Sequence, residues 1–158
     1  MRNSWWGHWF GGAGPGPSDA AVLQGLLTRI YRQESVLAYH LADRARAVRF
    51  APHRQSLEGL AEREGQNAHA LAREIGSRAN LAAAAGPERR TGTLTATKLI
   101  RDLDETEDLY TLYRQARLLT PDGLLRGKLE EMAAGEGRSS RTIRGILAKM
   151  DSYVTDLQ

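Results

Sequence analysis

Two stretches of this chain put a carboxylate where a helix wants hydrocarbon. One is Arg63-Glu64-Gly65-Gln66-Asn67-Ala68, and a looser copy is Gly135-Glu136-Gly137-Arg138-Ser139-Ser140. Around the first, helical spacing links Leu57, Leu60, Glu64, Asn67, Leu71 and Ile75. Around the second it links Leu129, Met132, Glu136, Ser139, Ile143 and Met150. Residues three and four apart share one helix face, so both glutamates fall on a stripe expected to be buried. Burying a carboxylate is costly unless it is paired, protonated or metal-bound. The same anomaly occurring twice calls for a common explanation.

The rest of the chain favours a helical setting. Its 158 residues suit one domain with a core of its own. Ala, Leu, Arg and Glu abound, while β-branched and aromatic runs are scarce. The absence of cysteine removes disulfides, thiolate ligands and Cys nucleophiles. A formal charge of +3, spread over arginines interleaved with acids, lacks the basic footprint of a nucleic-acid binder, so no nucleic-acid partner is expected. No stretch approaches the roughly 18 apolar residues of a membrane span, and the opening residues lack the apolar core of a secretory signal. A soluble, cytoplasmic protein without a transmembrane segment is expected.

Residues 1–17 read as a flexible tail, with Trp5, Trp6, His8, Trp9 and Phe10 ahead of a Gly/Pro tether. Such aromatics suit apolar–polar boundaries. They either pack back on the domain or dock a protein partner. Residues 18–158 read as four helices. The first starts at a Ser18 cap and runs to about Phe50, since Pro52 disfavours helix in the residue before it. Its stripe is Leu23, Leu26, Leu27, Ile30, Glu34, Leu37 and Leu41. The second runs from about His53 to Ser77. The third spans about Leu94 to Leu119, with the stripe Leu99, Leu103, Glu107, Tyr110 and Arg117. The fourth opens at Pro121-Asp122 and continues towards Asp156. The first and last joins are short, and the middle one is long for a small bundle. A dozen extended residues cover the roughly 38 Å of a helix of about 25 residues. The expected fold is an all-α, up-down-down-up four-helix bundle: two helical hairpins joined by a long crossover.

The hairpins echo each other. Glu34 and Glu107 stand 73 positions apart, and Glu64 and Glu136 stand 72 apart. Packed with their stripes inward, four glutamates meet at one level, where each raises its neighbours' pKa. Two divalent cations would resolve that conflict. The competing reading is a polar layer in which the carboxylates meet Arg114, Arg117, Arg138 or tyrosines; buried ion pairs of that kind add little stability. Tyr110, three residues after Glu107, either completes the core or lines a pocket. Gly65 and Gly137 each cost up to about 1 kcal/mol inside a helix, which predicts close helix approach beside the site.

This pattern resembles the ferritin-like superfamily, and within it the rubrerythrin-type di-iron carboxylate proteins. Those use one Glu from each of two helices and Glu-x-x-His from each of the other two. The resemblance covers about residues 18–153. It implies Glu34, Glu64, Glu107 and Glu136 as metal ligands, a pair of iron ions with manganese as the alternative, and a homodimer. The activity implied is that of an oxygen- or peroxide-dependent di-iron oxidoreductase, or iron handling. The chain departs from the pattern at both histidines, which are Asn67 and Ser139 here, and neither replaces imidazole well on iron. His69 lies about 140° round the helix from Glu64, and His40 about 120° from Glu34. The site is therefore read as degenerate and carboxylate-rich. The alternative is a non-catalytic structural or adaptor module that has lost its metal and docks through the tryptophan tail.

Overall fold

The computed structural model describes residues 17–76 and 94–155. They form α1 (Pro17–Ala47), α2 (Ala51–Ile75), α3 (Ala96–Leu119) and α4 (Gly123–Thr155). No strand occurs among the described residues, so the expected all-α bundle is present. Residues 1–16 of the expected 1–17 tail and most of the expected crossover, residues 77–93, lie outside the described residues, and α1 starts at Pro17, one residue before the expected Ser18 cap.

Local chemistry sets the helix ends. Pro52 lies in the first turn of α2, where its missing N–H costs nothing, so the helix begins two residues earlier than expected. Gly76 closes α2 at φ +76°, a conformation that glycine adopts freely. Thr95 caps α3 by accepting from the Lys98 N–H at 3.3 Å. Asp122 does the same for α4, accepting from the Leu124 N–H at 2.8 Å.

Side-chain contacts fix the direction of each helix. Asn67 on α2 reaches Glu34 on α1, and Arg117 on α3 reaches Glu130 on α4. Across the hairpins, Arg44 meets Asp102 while Glu34 meets Tyr113, so α1 and α3 are antiparallel. Glu74 meets Lys128 while Glu64 meets Ser139, so α2 and α4 are antiparallel as well. It follows that α2 and α3 run the same way, in an up-down-down-up order. The end of α2 and the start of α3 therefore lie at opposite ends of the bundle, as a crossover requires.

The duplication shows in the burial pattern. A shift of 72 positions carries buried Leu27, Ile30, Glu34, Leu37, Leu41, Arg44 and Val48 onto Leu99, Asp102, Thr106, Leu109, Tyr113, Ala116 and Thr120, every one of them buried. The same shift carries Leu57, Glu64 and Leu71 onto Leu129, Glu136 and Ile143. The apolar members form one continuous core. The described residues form two similar hairpins facing each other.

Candidate metal centre

Helical periodicity carries Glu34, Glu64 and Glu136 into the middle of this core, on α1, α2 and α4. All three are completely buried. One oxygen from each can be chosen so that all lie within 4.8 Å of one another. Oxygens on opposite sides of a hard divalent cation stand about 4–5 Å apart, given metal–oxygen distances of about 2.0–2.6 Å. One ion can therefore touch all three carboxylates.

Glu107, the fourth expected ligand, is not among them. It is 47% exposed on its side chain and pairs with Arg144 at the surface. The buried stripe of α3 runs through Leu99, Asp102, Thr106, Leu109 and Tyr113, not through Leu103, Glu107 and Tyr110. The 72-residue shift places Thr106 opposite Glu34, and Glu107 stands about 100° further round. The helix takes this register because the Asp102 charge is met from another helix. Arg44 Nε donates to Asp102 Oδ2 at 3.1 Å, and Arg44 Nη2 to Oδ1 at 3.3 Å. An aspartate that looks unfit for a core face along α3 is thus acceptable in the bundle. Tyr110 is correspondingly exposed, with the Arg114 guanidinium over its ring at 5.8 Å.

Neighbouring donors reach two of the three carboxylates. Tyr113 on α3 donates to Glu34 Oε1, and Asn67 Nδ2 donates to the same oxygen at 3.3 Å and to Glu64 Oε2 at 3.5 Å. Ser139 Oγ donates to Glu64 Oε1 at 3.0 Å. Arg63 donates to Ser139 Oγ, and its Nη2 lies 3.5 Å from Glu64 Oε1. Asn67 and Ser139, at the positions where Glu-x-x-His has imidazole, thus serve as hydrogen-bond donors to carboxylates. Glu34 Oε2 and both oxygens of Glu136 have no partner other than the carboxylates of the cluster itself. Groups of this kind cost roughly 1–3 kcal/mol each when buried unmatched.

Electrostatics follow from that imbalance. Burial, and then the Glu34 and Glu64 charges, push the Glu136 carboxyl up to about 11. Burial, and then Glu64, hold Glu34 well above the usual carboxylate range, despite the Tyr113 and Asn67 hydrogen bonds. Burial and the glutamates push the Tyr113 phenol up too, so it stays a donor. Without a cation, this cluster keeps protons at neutral pH.

The expected close approach at Gly65 and Gly137 is not found. A Cβ at either position would meet nothing within 4 Å. The glycine beside the site is Gly135, where a Cβ would stand 3.9 Å from Cδ and Nε of Arg63. Tyr113 and Arg63 show no anomaly along the sequence. Tyr113 falls on the α3 stripe once Asp102 is accepted as buried, and Arg63 is one residue off the α2 stripe.

A second group, His40, Asp102 and Glu105, also gathers within 4.8 Å. His40 Nδ1 lies 3.4 Å from Glu105 Oε2 and 3.8 Å from Asp102 Oδ1. Burial raises Asp102, although Arg44 pulls it down. Burial also pushes Glu105 up, but His40 and Arg101 outweigh it and leave this carboxyl below its usual range. The Arg44 fork occupies both oxygens of Asp102, so this group reads as an ion-pair network between α1 and α3. His69 is exposed on α2, away from both groups.

The described residues define a four-helix bundle with a buried carboxylate cluster able to hold a metal. Comparison of the chain with protein-family models, with curated proteins and with solved structures finds no match. No helix among the described residues is long and apolar enough to cross a membrane.

Proposed function

We propose that this chain is a ferritin-like metal-binding protein whose core holds a divalent cation on Glu34, Glu64 and Glu136. The observation that carries the reading is Glu136: fully buried, with neither carboxylate oxygen partnered outside the cluster, and facing two more buried carboxylates. A cation supplies the missing partner and removes the mutual repulsion. An all-oxygen set of this kind suits hard divalent ions, so manganese and iron(II) are the candidates. Iron bound there would supply redox chemistry towards oxygen or peroxide, and iron handling or oxidation is the activity proposed. Glu34, Glu64 and Glu136 would hold the ion, Asn67 and Ser139 would orient two of them, and the leucine and isoleucine shell would exclude water. A homodimer and a tail-bound protein partner belong to the same proposal; sedimentation velocity and pull-down with residues 1–17 removed test them.

A second reading has its own support. Asn67, Tyr113, Ser139 and Arg63 already neutralise or hydrogen-bond Glu34 and Glu64, as expected of a core that has settled without metal. The chain would then be a non-catalytic scaffold or adaptor. Elemental analysis of protein purified without chelators, followed by iron(II) addition in air, separates the two. Bound metal with iron(III) formation supports the first reading, and metal-free, inert protein supports the second.

A further inference from the structure

We propose that the Arg63 guanidinium is the second cation of this core, so that the site takes one metal ion per chain rather than two. The proposal rests on the metal-binding reading above and goes beyond it to stoichiometry.

Arg63 reaches the cluster from its edge, with its side chain 29% exposed. Its Nη2 donates to Ser139 Oγ and lies 3.5 Å from Glu64 Oε1. Its stem passes Gly135, where an added Cβ would stand 3.9 Å from Arg63 Cδ and Nε and from Arg138 Nη2. Ser139 follows Glu136 by three residues and is small, so the pair Gly135 and Ser139 leaves α4 open where the guanidinium lies. An imidazole at position 139 would compete for that volume. Arg63 therefore occupies the edge of the cluster beside Glu64, and it does so with a permanent charge.

Charge and valence agree with this division. Three carboxylates carry three negative charges when ionised. One guanidinium and one divalent ion balance them; a second divalent ion beside the guanidinium would leave an excess of two positive charges in a buried core, against one when the guanidinium is removed, and buried excess charge is costly. The unpartnered oxygens also divide unevenly. Glu64 Oε1 accepts from Ser139 and faces Arg63, while Glu34 Oε2 and both oxygens of Glu136 are unmatched. The unmatched oxygens thus belong to Glu34 and Glu136, not to the glutamate that faces Arg63.

Mn(II) titration of the full chain by equilibrium dialysis with metal quantification tests this, with thermal melting as the check on folding. Wild type should bind one Mn(II) per chain. Arg63→Gln (R63Q), which keeps a donor for Ser139 but loses the charge, should bind two, as should Arg63→Ala. Arg63→Lys should stay at one. Two ions on wild type, or one ion on wild type and on folded R63Q and R63A alike, would overturn the role of Arg63 while leaving the metal site standing. No Mn(II) on any of the four proteins overturns the metal reading and this inference together.

Discussion

The Tyr113 phenol on α3 donates to Glu34 Oε1 on α1, joining the two hairpins through a hydrogen bond at the centre of the core. Both groups are fully buried, and the other donor to that oxygen is Asn67 from within the first hairpin. The contact couples the position of a candidate ligand to the docking of α3. Tyr113→Phe keeps the ring and removes the donor. It should lower unfolding free energy by about 1–2 kcal/mol, read as a lower urea midpoint with an unchanged slope.

Protons in the cluster make stability depend on pH in a stated direction. The Glu136 carboxyl, pushed up to about 11, stays protonated in the folded, metal-free chain and ionises near 4.5 when unfolded. Its contribution is complete below about pH 4.5 and declines as pH rises towards 11, by at most about 1.4 kcal/mol per pH unit. Glu34, also raised, acts in the same direction. Metal-free protein should therefore melt at a lower temperature at pH 8.5 than at pH 5.5. Glu136→Gln should reduce that slope and raise the melting temperature at pH 8.5. A steeper slope in the variant would contradict this assignment of the proton.

Gly65 and Gly137 sit in helix interiors with open space where a Cβ would go. Neither is a contact point between helices, so each only weakens its helix. Gly65→Ala and Gly137→Ala should each stabilise the chain by about 0.5–1 kcal/mol, or a few degrees in melting temperature. Metal binding should be unchanged in both.

The Arg44 fork on Asp102 holds α1 against α3 away from the glutamates. Arg44→Met keeps much of the packing but strands a buried aspartate. A loss of about 3–5 kcal/mol is expected, measured by chemical denaturation. Asp102→Asn in the same background should recover part of it, because the stranded charge is gone.

Much of the bundle can be read from the chain because helices announce themselves through local spacing. The stripes of α1, α2 and α4 brought Glu34, Glu64 and Glu136 to one core, where the structure places them. The stripe of α3 could not be read in the same way. Asp102 and Thr106 look like surface residues until Arg44, 58 positions earlier, is seen to neutralise Asp102. Leu103 and Glu107 fit the local pattern better, but their stripe lies about 100° round the helix from the buried one. The regularity that corrects it is the strict 72-residue shift, under which Glu34 matches Thr106. Arg63 and Tyr113 contribute through contacts 76 and 79 positions away along the chain, and no local pattern encodes such contacts.

Whether the three buried carboxylates bind a cation is tested most directly by melting the chelator-treated chain with and without Mn(II) or anaerobic Fe(II) at pH 7.5. At free metal about one hundred times the dissociation constant, binding stabilises the fold by about 2.7 kcal/mol. For a chain of this length that is a rise of roughly 5–11 °C. The rise should vanish in Glu136→Gln and persist in Glu107→Ala, since Glu107 lies at the surface. No shift in the wild type with either ion, or an equal shift in Glu136→Gln, would contradict a metal centre built on Glu34, Glu64 and Glu136.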